Sequence, residues 1–342
     1  MGDWYHTCAL FTDVGKIKCW GANTDGQLGR GDYGGSFALE SSDMGSGLPY
    51  VDFGLNPEVV SFSTARSHTC VVFAHGKVKC FGKNDVGQLG MGDKVNRIDV
   101  NWLKMDDSTG FVDVGTNLLV TSVYTTEYST FVMLDNGQVK SWGLNRYSDL
   151  GYGSYVHIGE RNSQMGDYLP AVDFGPDRYA VRLFPVGQAA MCALLNTAEL
   201  KCWGQNQHNV VGMADIAISV SLPTGKTVVS VSGRTHTIVM FDDRTMTGWG
   251  RERCLGFGSV GDGAMGNYLH EMGDNMKFIN IGTGRKPVQV KVVDLATIVL
   301  LDNGDVIAFG ENHYGILGNG ISDPTHPHYV IGDVETEVGD NL

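Results

Sequence analysis

The segment HTCVVFAHGKVKCFG, residues 68–82, consists of two short apolar runs on either side of the turn Ala74-His75-Gly76. Two such runs joined by three residues predict a β-hairpin, because a glycine in the third loop position can adopt the left-handed backbone conformation that closes the turn. Related segments recur along the whole chain. Hairpin units are therefore predicted near residues 6–21, 68–82, 129–143, 191–204, 236–250 and 296–310.

The hairpin unit recurs with a nearly constant period. Equivalent positions fall at residues 8, 70, 131, 192, 238 and 298, which are separated by 62, 61, 61, 46 and 60 residues. A repeat of this length with several short strands and no helical periodicity predicts an all-β fold with radially arranged blades, a β-propeller. Six blades fit the six recognisable repeats, and so does a seven-bladed type with one blade missing or incomplete. We expect residues 1–342 to form a single propeller domain, with a stacked β-solenoid as the alternative architecture.

Two further signatures connect the hairpins. A segment similar to Asn-x-x-Gly-Gln-Leu-Gly, called the Asn loop below, occurs at residues 23–29, 84–90 and 312–318, and in degraded form at 145–151. A second signature contains Met-Gly-Asp or a close variant. Because loops on a rigid scaffold commonly carry function, we interpret this signature as a projecting loop that meets a protein or polymer partner. Its candidate contact residues are Met44, Met165, Asp167, Met272 and Asp274.

The order of these motifs resembles one known repeat family. The His-Thr entry of the hairpin, its Trp-Gly exit and the Asn loop are similar to the repeats of the regulator of chromosome condensation family, in a divergent, Cys-paired form. The resemblance covers nearly the whole chain and implies a propeller, usually seven-bladed, that presents loops to partner proteins. Because six hairpins are found, three explanations stay open: a fragment of a longer chain, terminal strands that close the ring unusually, and open edges that pair between chains.

Six of the seven cysteines fall in pairs inside hairpins, and Cys254 is left over as a free thiol. Folding the second hairpin about its turn places Cys70 opposite Cys80, at a Cα separation of about 4.5–5.5 Å that a disulfide tolerates. Each of the other three hairpins lacks a cysteine at both of the opposed positions. This all-or-none pattern favours disulfides over independently buried thiols. The predicted disulfides are Cys8–Cys19, Cys70–Cys80 and Cys192–Cys202.

Disulfides persist in oxidising compartments. The cysteine pattern therefore predicts an extracellular or cell-surface protein, with a cytoplasmic or nuclear location as the alternative.

Composition argues against several classes of function. The formal net charge is −13 and no run of Lys and Arg is present, so no direct nucleic-acid binding is expected. No apolar stretch approaches the roughly 18 residues of a membrane span. We find no catalytic or phosphate-binding motif, and zinc is a poor alternative to disulfides because each Cys pair supplies only two ligands. No cofactor, metal or small-molecule ligand is expected.

Three local patterns have both a functional and a structural interpretation, and the structural one is favoured. His6, His68 and His236 share one repeat position, which indicates structural hydrogen bonding and not catalysis. The cell-adhesion tripeptide Arg30-Gly31-Asp32 stands where the repeat has Gly-x-Gly-Asp, so we attribute it to chance. The loop acids are too sparse for the six to eight oxygens of a calcium site; they are Asp32, Asp93, Asp167, Asp262 and Asp274.

The sequence thus predicts a non-enzymatic protein-interaction or structural scaffold, extracellular or surface-exposed and stiffened by disulfides. Its partner would be another protein or a second copy of the chain. The alternative, implied by the family resemblance, is an intracellular regulator resembling a guanine-nucleotide exchange factor for a small GTPase.

Overall fold

The computed structural model describes residues 6–32, 34–38, 40–54, 58–97, 110–211, 218–258, 263–312, 315–320, 330–332 and 337–342. Regular structure in these residues is limited to strands and short 3₁₀ helices. Among them, no helix has the length and apolar character needed to cross a bilayer.

The strands of the first half of the chain are β1 (His6–Phe11), β2 (Lys16–Ala22), β3 (Ser36–Phe37), β4 (Val59–Thr64), β5 (His68–Phe73), β6 (Val78–Gly82), β7 (Val120–Thr125), β8 (Ser129–Leu134) and β9 (Val139–Gly143). Those of the second half are β10 (Ala180–Val186), β11 (Ala190–Leu195), β12 (Leu200–Gly204), β13 (Ile218–Ser219), β14 (Val228–Gly233), β15 (His236–Phe241), β16 (Met246–Arg251), β17 (Ala264–Met265), β18 (Pro287–Val293), β19 (Ala296–Leu301), β20 (Val306–Glu311) and β21 (Val330–Ile331). The 3₁₀ helices are Ser41–Asp43, Asn162–Gln164, Gly166–Tyr168, Gln207–Asn209, Glu252–Cys254, Leu269–Glu271, Gly273–Asn275 and Gly339–Asn341.

The chain divides into two compact units, Met1–Ala180 and Val181–Leu342. In the first unit the described strands form the antiparallel sheets β1-β2-β3, β4-β5-β6 and β7-β8-β9. In the second they form β10-β11-β12-β13, β14-β15-β16-β17 and β18-β19-β20-β21. Each sheet is built around one predicted hairpin, which confirms the all-β class and the hairpin-centred blades. The single domain over residues 1–342 stays a prediction.

The hairpin turns explain why the repeat has this sequence. Phe73 N donates to Lys77 O at 3.0 Å, and Gly76 N donates to Phe73 O at 2.8 Å. The third loop residue is left-handed, with φ of +76° at Gly76, a conformation that glycine adopts without steric cost. In two hairpins a residue other than glycine adopts this left-handed conformation: Ala198 has φ of +64° and Arg244 has φ of +67°.

The apolar core lies between consecutive sheets of each unit. In the first unit, the buried cluster around Cys70 and Cys80 on the second sheet includes Val132 and Trp142 of the third. In the second unit, Cys192 of β11 shares a cluster with Trp249 of β16. Burial of apolar side chains from both sheets is the main force that joins neighbouring blades.

A glycine at the end of the Asn loop makes room for the aromatic residue of the next hairpin exit. A Cβ atom on Gly90 would lie 2.6 Å from Nε1 of Trp142, and one on Gly29 would lie 2.8 Å from the ring of Phe81. Because real Cβ atoms do not approach so closely, larger residues at these positions would separate the sheets.

Candidate interaction surface

The histidines of the His-Thr units bridge neighbouring sheets. His68 Nε2 lies 3.0 Å from Thr130 Oγ1, and the Thr130 hydroxyl donates to the carbonyl oxygen of Gln88 at 2.8 Å. The threonine proton is therefore used, so the histidine donates through Nε2–H. Burial lowers the pKa of His68 to about 3. The same bridge joins His6 to Thr69 and His236 to Thr297.

These contacts indicate a structural role for the three histidines. Burial lowers the pKa of His6 to about 4 and that of His236 to about 3. A neutral imidazole that is buried and already bonded lacks the access to substrate that a general base requires. The described residues also contain no group of three or more His, Cys, Asp or Glu that could hold a metal ion.

The Asn loop is held together by its asparagine and accepts bonds from the next sheet. Asn84 Oδ1 accepts a hydrogen bond from Leu89 N at 2.9 Å, and Asn84 Nδ2 donates to the carbonyl oxygen of Asp93 at 2.9 Å. The carbonyl oxygen of Gln88, which already accepts from a threonine, also accepts from Trp142 Nε1 at 3.0 Å. The loop is therefore part of the contact between two sheets.

The tripeptide Arg30-Gly31-Asp32 belongs to the same structural unit. Asp32 Oδ1 accepts from Asn23 Nδ2 at 2.9 Å, as Asp93 accepts from the asparagine of the second Asn loop. The guanidinium carbon of Arg30 lies 3.2 Å from the centroid of the Phe37 ring. Both charged side chains of the tripeptide thus have structural partners. Asp262 lies outside the described residues.

The hairpin cysteines are bonded in three pairs, and each pair consists of directly opposed residues. The Cα atoms of Cys70 and Cys80 are 4.1 Å apart. All six cysteines are buried, in clusters that also contain residues of the next sheet. Cys254 is free, and burial raises the pKa of its thiol to about 12. The oxidising compartment that the disulfides imply stays a prediction.

The Met-Gly-Asp loops require a correction. Met165 and Met272 are each only 5% exposed, so they do not project toward a partner. Instead, Gly166 N donates to the carbonyl oxygen of Asp113 at 2.9 Å. The correction has a simple physical reason: burying a methionine between two sheets is worth more than exposing it to water.

The aspartates of these loops bind the preceding repeat. Asp167 accepts from the backbone amide of Thr116 at 2.6 Å and from its hydroxyl at 2.8 Å. Asp274 accepts from Thr224 in the same way, at 2.6 and 2.9 Å. The bonds from the threonine lower the pKa of each carboxyl group. We call a Met-Gly-Asp segment together with the threonine that it binds a latch.

A third latch lies at residues 338–340, and its aspartate was not among the predicted contact residues. Gly339 N donates to Asn280 O at 2.9 Å, and Asp340 accepts from the Thr283 amide at 2.7 Å and from its hydroxyl at 3.1 Å. Val338 stands in the methionine position, which hid the motif; the Gly-Asp pair was the available signal. Met44 differs from Met165 and Met272, because it is 38% exposed.

Three loops that lead into Met-Gly segments share one backbone form. We call residues 40–43, 160–164 and 266–271 the flank loops; each contains a 3₁₀ helix whose last side chain accepts bonds from amides at the start of the loop. Glu271 Oε2, for example, accepts from Gly266 N at 3.0 Å and Asn267 N at 2.9 Å. The exposed side chains differ between the loops. Tyr268 and Leu269 are 60% and 75% exposed.

A shallow groove of about 230 Å³ adjoins the second flank loop. It is lined by Tyr155, Val156, His157, Glu160, Arg161 and Gln164. Sequence reasoning did not single out this groove, because no motif marks its residues. The flank loops at residues 40–43 and 160–164 and this groove are the candidate interaction surfaces of the first unit, and the flank loop at residues 266–271 is that of the second.

Comparisons with known proteins agree with the repeat assignment. Residues 1–27 and 59–88 match the family described as "Regulator of chromosome condensation (RCC1) repeat". Over 324 residues the chain is 23% identical to "Ultraviolet-B receptor UVR8" of Arabidopsis thaliana, a match that covers 93% of this chain and 66% of that protein. It is 29% identical to human "Protein RCC2" over 145 residues, which cover 42% of this chain and 24% of that protein.

The chain therefore spans less than two thirds of the length of these curated relatives, and its match to the human "E3 ubiquitin-protein ligase HERC2" spans 5% of that protein. Two solved structures are similar in fold. Human WBSCR16 has a TM-score of 0.70 at 20% identity, covering 94% of this chain and 78% of that one. Yeast RCC1 (Prp20), solved with Kap60, has a TM-score of 0.70 at 18% identity, covering 99% and 73%. These similarities confirm the β-propeller fold.

Proposed function

We propose that this chain, which carries repeats of the regulator of chromosome condensation family at residues 1–27 and 59–88, is a non-enzymatic scaffold that binds a protein partner. One observation carries the proposal. The recurring histidine, asparagine and latch residues are bonded within or between sheets, whereas the flank loops hold different exposed side chains on one backbone form. Rigid loops with divergent side chains are suited to recognition.

The fold relatives support a protein as the partner. In its solved complex, yeast RCC1 (Prp20) is bound to Kap60. The exposed Tyr268 is of a residue type that is enriched among the anchors of protein interfaces, and Leu269 beside it adds exposed apolar surface that a partner could cover.

Affinity purification tests this function. The tagged wild-type chain is compared with the variant Tyr268→Ser/Leu269→Ser, and the matched control is Val306→Ser, which changes a side chain that is 62% exposed in β20. We expect a protein that the wild type and control retain and the flank-loop variant loses. That protein is then purified and titrated against the three chains. Equal binding by all three would remove the flank loop from the proposal.

We further propose that the scaffold works outside the cell or at its surface, because three buried disulfides stiffen its hairpins. The test is a count of free thiols by alkylation and intact mass, on material kept in its native redox state. One free thiol before reduction and seven after supports this location. Seven free thiols before reduction would contradict it.

The second candidate is an intracellular regulator that acts on a small GTPase. The similarity to human RCC2 and the fold likeness to yeast RCC1 favour it. A nucleotide-release assay with purified small GTPases measures it directly. Stimulated release would support this candidate, and seven free thiols in the thiol count would be consistent with it.

A further inference from the structure

The groove beside the second flank loop combines apolar side chains with side chains that donate hydrogen bonds. Tyr155 and Val156 are 72% and 60% exposed, and the same groove is lined by Arg161 and His157. Apolar side chains at a concave surface are typical of binding sites. The volume of about 230 Å³ is below that of pockets for drug-sized ligands, so the groove fits one or two side chains of a peptide.

The groove is held in shape before any ligand binds. Gly159 packs directly on the second Asn loop, because a Cβ atom at this residue would lie 2.4 Å from the carbonyl oxygen of Gly87. Gln164 Oε1 accepts from the amides of Glu160 and Arg161 at 3.0 and 3.1 Å. Its Nε2 donates to the carbonyl oxygen of His157 at 2.9 Å. A ligand would therefore bind with a small cost in loop ordering.

The charges in the groove favour an anionic ligand. Glu160 is paired with Lys94, with 3.3 Å between the carboxylate oxygen and the ammonium nitrogen. Arg161 is exposed, and no carboxylate lies within ion-pair distance of it among the residues that the structure describes. His157 Nδ1 accepts from Asn145 N at 3.1 Å, which leaves Nε2 as a donor in the neutral ring. A guanidinium binds a carboxylate through two parallel hydrogen bonds.

We propose that this groove binds a short peptide segment in which an apolar side chain stands beside a carboxylate. The apolar side chain contacts Tyr155 and Val156, and the carboxylate binds Arg161. This inference rests on the proposed function as a protein-binding scaffold and names the chemistry that one of its surfaces recognises.

Three fluorescein-labelled peptides with blocked ends test the recognition: Gly-Leu-Glu-Gly, Gly-Leu-Gln-Gly and Gly-Ser-Glu-Gly. Each is titrated with the full-length oxidised chain, and binding is followed by fluorescence anisotropy. We expect the Leu-Glu peptide to bind best and the Leu-Gln peptide to bind about tenfold more weakly, because it cannot form the charge-assisted bonds. Added salt should reduce the binding of the Leu-Glu peptide more than that of the Leu-Gln peptide.

Substitutions test the carboxylate-binding side chain and the apolar side chains of the groove separately. Arg161→Gln should abolish the preference for Glu over Gln, while Arg161→Lys should keep part of it, because the charge remains without the bidentate geometry. Tyr155→Ala should weaken the binding of the Leu-Glu and Leu-Gln peptides by the same factor. The control is Tyr168→Ala, which changes a side chain that is 77% exposed and does not line the groove. Circular dichroism and melting curves verify that each variant is folded.

Absence of Leu-Glu binding at millimolar concentrations would overturn the inference, and so would a preference for Glu that survives Arg161→Gln. The affinity purification with the Tyr268→Ser/Leu269→Ser variant probes another surface. Its outcome is therefore independent of the peptide titrations. Failure of the proposed groove ligand can thus be distinguished from failure of the proposed scaffold function.

Discussion

The bridge between His68 and Thr130 can be tested by the substitution Thr130→Val. Thr130 is fully buried. Its hydroxyl accepts from His68 Nε2 at 3.0 Å and donates to Gln88 O at 2.8 Å. Valine has nearly the same shape but cannot form hydrogen bonds, so the substitution removes both bonds with little change in packing.

The expected loss follows from these contacts. The carbonyl oxygen of Gln88 keeps the bond from Trp142 Nε1, so it remains satisfied. The Nε2–H group of His68 becomes a buried donor without an acceptor, which costs about 1–3 kcal/mol, and the lost bond to Gln88 O contributes about 1 kcal/mol more. We expect the free energy of unfolding to fall by about 3 kcal/mol.

Urea unfolding under non-reducing conditions measures this change through the midpoint and the slope. The matched control is Thr7→Val at the equivalent position of the first hairpin, where none of the described hydrogen bonds involves the threonine hydroxyl. We expect the control to change stability by less than about 0.5 kcal/mol. The double variant His68→Leu/Thr130→Val should lose less than the sum of the single variants, because the unsatisfied donor is gone. Equal losses for Thr130→Val and Thr7→Val would refute the reasoning.

Three further predictions concern the buried histidines, a latch aspartate and a hairpin turn. Histidines in the unfolded chain bind protons near pH 6.5, whereas the buried histidines of the folded chain bind them only near pH 4 or 3. The free energy of unfolding should therefore decrease as the pH falls from 6.5 toward 3. Urea midpoints at several pH values test this expectation, and a flat profile would contradict it. Hydrogen bonds from Thr224 hold the pKa of Asp274 below its usual value, so Asp274→Ala should lower the melting temperature by calorimetry, whereas Asp302→Ala, at an exposed hairpin turn, should not. Ala198 has a left-handed backbone conformation with φ of +64°, which is strained for any residue with a Cβ atom. Ala198→Gly should therefore raise the free energy of unfolding, measured by urea titration, by about 0.5–1 kcal/mol. No gain would show that the turn is unstrained.

The hairpins could be predicted from sequence because their contacts are local. The turn at Ala74-His75-Gly76 brings residues only ten positions apart into register, so the opposition of Cys70 and Cys80 follows from counting outward from the turn. The same local logic placed the hairpins of all six described sheets. The groove at Tyr155 and Arg161 could not be found in this way, because its shape depends on how residues 155–164 pack on the Asn loop of another repeat.

The Met-Gly-Asp loops show the limit of local reasoning. A polar loop with an aspartate is typical of a surface segment, and Asp167 is indeed exposed. Its partner Thr116 lies 51 residues earlier in the chain, and nothing in the local sequence indicates that contact. The burial of Met165 depends on the neighbouring sheet in the same way.

The sequence by itself determined the repeat, the six hairpins and the facing cysteines, because strand pairing across a short turn involves only neighbouring residues. Only the tertiary structure decided the roles of His68, Asp167 and Met165, because each of these side chains contacts another repeat. In a propeller the sheets are held together by such contacts between repeats. The surface that remains for a partner is therefore known only after those contacts have been assigned.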